Sequence, residues 1–188
     1  MIELRNVVVA YESRVILDSV NLTINDGETL VILGGSGSGK STLLRLLIGL
    51  QRPTSGQIIV DGTDITTLSE DEFNTVRRKM GMVFQYSALF DSMSVGENVA
   101  FGLRQHTKLG EDEIKRIVAE RLDWVGLKGY ESYMPNELSG GMKKRVSLAR
   151  AIALDPSLIL YDEPSSGLDP ITSGTISMLI KGMQNRLG

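Results

Sequence analysis

Glycines, serines and one lysine crowd the stretch GGSGSGKST, residues 34–42. Their spacing fits G-x-x-x-x-G-K-[ST], a loop whose backbone N–H groups cradle phosphates. Glycine permits left-handed angles and a close approach of the backbone to a ligand, and the start of the following helix favours an anion. The stretch therefore predicts a nucleoside triphosphate site, in which Lys40 bridges the outer phosphates and the Ser41 hydroxyl ligates magnesium.

A glycine-rich turn capped by serine is the alternative, and the flanking sequence argues against it. Residues 29–33 form a short apolar run rich in β-branched residues, which predicts a buried strand. Leucines recur at helical spacing after Lys40, so a strand–loop–helix context surrounds the glycines. The predicted phosphate-binding residues are Gly34, Gly35, Ser36, Gly37, Ser38, Gly39, Lys40, Ser41 and Thr42.

Two adjacent carboxylates, Asp162 and Glu163, follow the apolar run at residues 158–161. The carboxyl ends of strands in an α/β sheet face the ligand crevice, so these acids are expected near the bound phosphates. Asp162 is predicted to hold magnesium through water, and Glu163 is the candidate general base for an attacking water. An isolated acidic pair also fits a solvated turn, but the phosphate loop favours the catalytic interpretation.

A second helix start suited to a phosphate occurs at Ser139, Gly140 and Gly141. Exposed N–H donors and the positive end of the helix dipole would face the anion. The alternative is a glycine-containing N-cap. One nucleotide needs only one of the two helix starts within a subunit.

Composition allows an ordinary packed core: the chain has 188 residues, is 41% hydrophobic and carries a formal net charge of −3. This charge argues against a nucleic-acid binder that relies on a global basic field. The absence of cysteine excludes disulfides and thiolate metal sites. No apolar run reaches the roughly 18 residues of a membrane helix, so work at a membrane would require a spanning partner.

Periodicity predicts a β-rich opening followed by helices and a return to α/β. The helical region includes an amphipathic segment at residues 111–125, and a capping box at Ser69 and Glu72 predicts another helix start. The predicted strands cover residues 2–11, 15–25, 29–33, 57–61, 81–85 and 158–161, and further helices cover residues 140–154 and the region from about 172. A parallel-sheet nucleotide fold with a helical insertion at about 88–154, in one domain over residues 1–188, accounts for this order.

The motifs GGSGSGKST, Gln85, LSGGM, LILYDEP and SSGLD, in this order, resemble those of ABC-type ATPase domains. The resemblance implies a P-loop fold with a β-rich N-terminal subdomain, ATP and Mg²⁺ as ligands, and a head-to-tail homodimer. It implies that Gln85 reaches magnesium and the water, that Ser139 to Gly141 touch the γ-phosphate of the partner's ATP, and that Asp169 lies at the dimer seam. Tyr11 fits the aromatic residue that stacks on adenine, although packing explains a lone tyrosine equally well.

This chain departs from the pattern of that family at two points. In the signature motif of the family, here LSGGM at residues 138–142, Met142 stands where a glutamine is usual. The change removes an amide but leaves the helix start intact. A switch histidine some 30 residues beyond the SSGLD motif is missing, and the only histidine, His106, is interpreted as a surface residue. The sequence is therefore interpreted as an ABC domain truncated at its C-terminus, with its last strands absent, that binds ATP and hydrolyses it slowly.

Three classes of ABC protein compete, and a transporter subunit fits best. DNA-repair members separate loop and signature by a long coiled coil, and ribosome-associated members carry two domains. Here Lys40 and Leu138 are 98 positions apart and one domain is present. The basic cluster Lys143 to Arg145 is interpreted as a solvated face or a dimer-seam feature, and no nucleic-acid partner is expected.

Residues 84–109 resemble a segment in the ATPases of bacterial lipid-asymmetry and organic-solvent-tolerance transporters, which work with mammalian-cell-entry domain proteins. The resemblance implies a phospholipid-like cargo and a peripheral position at the cytoplasmic face of the bacterial inner membrane. A permease would dock on Tyr86, Leu89, Phe90 and Met93, unless these residues simply pack the insertion. An importer of a polar amino acid or another small solute, with its substrate-binding protein, is the alternative.

Overall fold

Two compact units, Met1–Arg77 and Arg78–Gly188, make up the chain. The computed structural model describes residues 1–187 apart from the side chains of Asn185 and Leu187. Gly188, the last residue of the predicted domain, therefore lies outside the described residues. The single domain with an insertion over residues 88–154 stays a prediction.

The first unit is built on a four-stranded antiparallel sheet in the order β2-β1-β3-β4. The elements are β1 (Ile2–Tyr11), β2 (Arg14–Ile24), α1 (Lys40–Leu47), β3 (Ser55–Val60), β4 (Thr63–Asp64) and α2 (Glu70–Arg77). Alternate residues of β1, including Val7 and Val9, are almost fully buried, as the period of two predicts. The predicted β-rich opening is confirmed.

One predicted strand of this unit, residues 29–33, is wrong. The structure assigns no strand there, and the side chains of Val31 and Leu33 are 70% and 87% exposed. An apolar, β-branched run fits a strand, but it becomes one only where a neighbouring strand supplies hydrogen bonds. Within residues 1–187 no such ladder is assigned to this run.

The C-terminal end of α1 is anchored to α2 by Arg77. Its guanidinium donates to the Ile48 and Gly49 carbonyls at 2.9 and 3.2 Å and lies 4.6 Å above the Phe73 ring. Gly49 permits this packing because a Cβ there would lie 2.6 Å from Phe73. These contacts fix the helix that the phosphate loop precedes.

The second unit pairs two parallel strands and surrounds them with helices. Its elements are β5 (Met80–Val83), α3 (Val95–His106), α4 (Glu111–Trp124), a 3₁₀ turn (Pro135–Glu137), α5 (Gly140–Ala151), β6 (Leu158–Tyr161) and α6 (Pro170–Leu187). Val83 pairs with Tyr161, so both strands end at the same edge. The predicted parallel core is confirmed, although β5 ends two residues before Gln85.

A single hydrophobic cluster joins the helices of this unit. The predicted apolar face of α4 is buried, with Ile114, Val118 and Leu122 at most 4% exposed. Asn98, fully buried on α3, donates to the backbone carbonyls of Phe90 and Met93 and so ties the preceding loop to the helix. No helix within residues 1–187 is both long and apolar enough to cross a membrane.

Candidate functional site

The glycine-rich loop of the first unit ends in a left-handed residue from which α1 begins. Gly39 caps α1 with a φ of 93° and supplies no side-chain hydrogen bond to the helix start. Lys40 turns back over the loop, because its Nζ donates to the Gly34 and Gly35 carbonyls at 2.9 and 3.0 Å. The loop is thus closed on itself by the residue predicted to bridge phosphates.

Two glycines of the loop are required by contact as well as by conformation. A Cβ at Gly39 would lie 2.7 Å from the Leu17 side chain of β2, and a Cβ at Gly34 would lie 2.5 Å from the Ser38 hydroxyl. Residues 34–38 are exposed, as a ligand-binding loop must be. The backbone therefore presents itself to solvent with little side-chain cover.

Tyr11 is the last residue of β1 and is 54% exposed. It pairs with Arg14 across the turn into β2, the strand against which Gly39 packs. An exposed ring in this hairpin is available for stacking, and adenine binding by Tyr11 stays a prediction.

In the second unit, the strand-end acids meet the predicted glutamine. The Glu163 carboxylate accepts a hydrogen bond of 3.0 Å from Gln85 Nε2. Asp162 extends the strand pairing, since its N–H donates to the Val83 carbonyl at 2.9 Å. Gln85, Asp162 and Glu163 therefore gather at the carboxyl edge of β5 and β6.

The backbone of Glu163 is left-handed, with a φ of 46°. This conformation is uncommon for a residue with a Cβ and marks sites where the surroundings dictate the geometry. Two residues earlier, Tyr161 packs against the hydrophobic cluster of this unit, and burial raises the pKa of its phenol to about 12.

The second predicted phosphate site is the start of α5. Ser139 caps the helix by accepting from the Met142 N–H at 3.3 Å, and Ser139 and Gly140 are exposed. A Cβ at Gly141 would lie 2.5 Å from the Thr172 side chain of α6, so glycine also allows these helices to approach. Met142 packs against the hydrophobic cluster instead of offering an amide.

Asp169 caps α6 by accepting hydrogen bonds of 3.0 Å from the Ile171 and Thr172 N–H groups. The bonds from the Thr172 hydroxyl and backbone hold the pKa of Asp169 below its ordinary value. Its place at a dimer seam stays a prediction. His106 is exposed at the end of α3, as predicted for a surface residue.

Sequence reasoning missed Lys144, which it assigned to a solvated face or dimer seam. Lys144 is 5% exposed, and its Nζ donates to the Gln85 carbonyl. Burial lowers the pKa of Lys144, whereas the charges of Asp162 and Glu163 act in the opposite direction. The available signal was helical spacing, because Lys144 shares the apolar stripe of Leu148 and Ala151 on α5.

These motifs and the fold define an ATP-binding cassette ATPase domain, and comparison supports that class. A sequence profile of the ABC transporter family matches residues 17–166, and the chain belongs to this family. A dimeric ATP-binding cassette, solved in a post-hydrolysis state with ADP and Pi, superposes with a TM-score of 0.89 at 36% identity. The alignment covers 99% of this chain and 84% of that cassette.

Two sequence relatives are similar at higher identity. The intermembrane phospholipid transport system ATP-binding protein MlaF of Haemophilus influenzae is 49% identical over 100% of this chain and 71% of its own length. A probable ribonucleotide transport ATP-binding protein mkl of Mycobacterium tuberculosis is 51% identical over 95% of this chain. The chain spans 50% of the length of that mycobacterial relative.

Proposed function

We propose that this chain hydrolyses Mg-ATP to drive a membrane transporter. The observation that carries the proposal is the 3.0 Å hydrogen bond between Gln85 and Glu163 at the carboxyl edge of β6. Glu163 takes a proton from a water whose oxygen attacks the γ-phosphorus, and the bond from that phosphorus to ADP breaks. The electron pair of the broken bond leaves with ADP, and inorganic phosphate is the other product.

Magnesium fits the residues gathered at this edge. Mg²⁺ prefers hard oxygen ligands and usually takes one or two carboxylates together with phosphates and waters. Asp162 and the Gln85 amide would supply such oxygens just beyond the ends of β6 and β5. The Ser41 hydroxyl at the start of α1 stays a predicted ligand. Bound magnesium would neutralise charge developing on the phosphates.

Two copies of the chain would enclose ATP between them. Lys40 and the loop N–H groups hold the phosphates in one subunit, and Ser139, Gly140 and Gly141 of the other subunit close on the γ-phosphate. This arrangement explains why one chain carries two helix starts suited to anions. The dimeric state of the structurally similar cassette supports it.

A permease would dock on the segment of residues 84–93. Tyr86 and Phe90 are 86% and 42% exposed, and the Phe90 ring lies 4.8 Å from that of Phe101. Leu89 and Met93 are half-buried, so they support the surface from beneath. Adaptable apolar residues of this kind suit a helix lying in a groove. With such a permease, the chain would lie at the cytoplasmic face of a bacterial inner membrane, which the similarity to transporter ATP-binding proteins supports.

Phospholipid or a related hydrophobic molecule is the cargo we favour. The match, over 100% of this chain and 71% of the relative, to a protein described as part of an intermembrane phospholipid transport system supports it. A mammalian-cell-entry domain protein would then belong to the same complex. The second candidate is a polar solute, which the similar match to a probable ribonucleotide transport protein favours.

Steady-state ATP hydrolysis by the full-length protein tests the enzymatic part. Glu163→Gln should lower kcat by about 10²–10⁴-fold, the range for loss of a general base, while ATP still binds. Chelation of Mg²⁺ should abolish turnover, and added Mg²⁺ should restore it. Glu113→Gln, at an exposed position of α4, is the matched control. Loss of less than tenfold in Glu163→Gln would exclude the base role.

Mass spectrometry of the purified transporter complex tests the cargo. The full-length chain would be produced with its membrane and periplasmic partners, and co-purifying small molecules would be compared with detergent-matched controls. Enriched phospholipid supports the lipid proposal. A bound polar solute over background lipid would replace it with the second candidate and leave the ATPase proposal intact.

A further inference from the structure

The backbone that follows β5 turns through two left-handed residues in succession. Ser87 and Ala88 have φ values of 62° and 47°, although neither is glycine. Such conformations persist only where the surroundings hold them. The segment of residues 85–88, which carries Gln85, is therefore fixed by something outside its own sequence.

Two cations of α5 hold this segment through its carbonyl groups. Lys144 Nζ donates to the Gln85 carbonyl. The Arg150 guanidinium donates to the Ser87 carbonyl at 2.8 Å and to the Ala88 carbonyl at 2.6 Å. Hydrogen bonds from charged donors are stronger than neutral ones, so three of the four carbonyls in residues 85–88 are firmly bound to α5.

Burial indicates that these contacts belong to the fold and are not incidental surface contacts. Lys144 is 5% exposed, Ser87 is 6% exposed, and burial lowers the pKa of Arg150. A cation removed from water is costly unless its donors are satisfied, and here backbone carbonyls satisfy them. A surface lysine that happened to reach a carbonyl would instead remain solvated.

The first residue of this segment, Gln85, contacts the proposed catalytic carboxylate of Glu163 through its side chain. Gln85 accepts from Lys144 through its backbone carbonyl and donates to Glu163 through its amide, at 3.0 Å. The same helix α5 begins at Gly140, directly after the Ser139 cap. One helix thus connects the predicted phosphate-binding start at Ser139 and Gly140 with the amide that contacts Glu163.

We infer that Lys144 and Arg150 are positioning residues that lock the Gln85 segment to α5, so that the Gln85 amide is aligned on Glu163. The inference deepens the proposed ATPase function and rests on it. Lys144 acts through Gln85 on the hydrolytic step and not on the capture of ATP by the phosphate loop. Loss of the lock should therefore lower kcat while KM changes little.

Kinetics of the full-length protein test the lock. Lys144→Met keeps the buried stem but removes the donor, and it should lower kcat by about 10–100-fold, the scale of a small misplacement of a catalytic group, with KM within about threefold. Lys144→Arg should restore most of kcat because it keeps a charged donor. Lys115→Met, at an exposed position of α4, is the matched control and should match the wild type.

A double-mutant cycle with Gln85→Ala separates positioning from general stability. If Lys144 works through Gln85, the variant carrying both substitutions should be no slower than Gln85→Ala alone. The inference would be overturned if the fold-losses of kcat from Lys144→Met and Gln85→Ala multiply in the double variant. A wild-type kcat in Lys144→Met would overturn it as well. Should Lys144→Met fail to fold, Arg150→Lys, which cannot match the forked guanidinium on both carbonyls, must lower kcat, and a wild-type kcat there would refute the lock.

The outcomes distinguish this inference from the function on which it rests. A wild-type protein that does not hydrolyse ATP would remove both. A wild-type protein that is active, with an inactive Glu163→Gln variant and an unaffected Lys144→Met variant, would remove the inference alone.

Discussion

At the scale of single residues, the contact between Gln85 and Glu163 is the most informative feature. The Gln85 amide donates to the Glu163 carboxylate and so orients the group that we propose as the base. The glutamine reaches the glutamate because parallel strands β5 and β6 end at the same edge. The chemistry is therefore set by strand register rather than by nearness in sequence.

Gly39 provides a residue-scale prediction. Gly39→Ala adds a Cβ 2.7 Å from the Leu17 side chain and 3.3 Å from the Ile16 carbonyl, at a φ of 93°. The loop must shift, and we expect ATP to bind at least about tenfold more weakly, a loss of about 1.4 kcal/mol. Titration with a fluorescent ATP analogue measures the change.

Gly27→Ala is the control for Gly39→Ala, because it separates the effect of backbone strain from that of an added Cβ crowded against its neighbours. Gly27 has a similar left-handed φ of 72°, but a Cβ there meets nothing within 4 Å. It should lower stability through strain alone and leave ATP affinity unchanged. Equal losses of affinity in the two variants would show that crowding against β2 is not the reason for glycine at position 39.

At the scale of elements, the contact of α5 with α6 depends on one glycine. Gly141→Ala would place a Cβ 2.5 Å from Thr172, whereas Gly140→Ala meets Leu168 at an ordinary 3.8 Å. Overpacking of this kind costs about 1–3 kcal/mol, while alanine at the neighbouring helical position should be neutral or slightly stabilising. Chemical denaturation of both variants measures the difference, and equal stabilities would contradict the assigned contact.

The cap of α6 gives an element-scale prediction for pH. Because hydrogen bonds from Thr172 lower the pKa of folded Asp169, its charge contributes stability above the ordinary carboxyl pKa of about 3.9, and this contribution is lost as the pH falls. Asp169→Asn keeps an acceptor but removes the titration. The variant should be less stable than the wild type at pH 7 and equal to it near pH 2. A difference that persists unchanged in acid would contradict this cap.

Local pattern predicted those elements whose signal lies in their own residues. Strands at residues 2–11 and 158–161 occur as predicted, because alternation in one and the apolar run before Pro164 in the other define their ends. Residues 29–33 have the same composition but no assigned ladder, since pairing is a property of distant partners. The sequence of the run could not supply that information.

The candidate site was predictable where motifs carry it and unpredictable where tertiary contacts do. Gly34 to Ser41 and the Asp162–Glu163 pair follow from spacing and from the strand that precedes the acids. Lys144 does not, because its charge predicts exposure while its helical position predicts burial, and only the Gln85 carbonyl reconciles the two. The slow hydrolysis expected of these 188 residues stays a prediction.

At the scale of the whole molecule, the chain presents two helix starts suited to phosphate, at Lys40 and Gly140, in different units. A single subunit needs one of them for the nucleotide it binds. Pairing of two subunits would employ both, with each ATP held by the loop of one subunit and closed by the signature of the other.

Mass measurement by light scattering on the full-length Glu163→Gln variant tests this pairing of two subunits around ATP. Because this variant should bind ATP without hydrolysing it, we predict a monomer without nucleotide and twice that mass with Mg-ATP. Adding Lys40→Ala, which should weaken phosphate binding, should return the mass to that of the monomer. A Glu163→Gln protein that stays monomeric at saturating Mg-ATP would contradict ATP-driven pairing of two subunits.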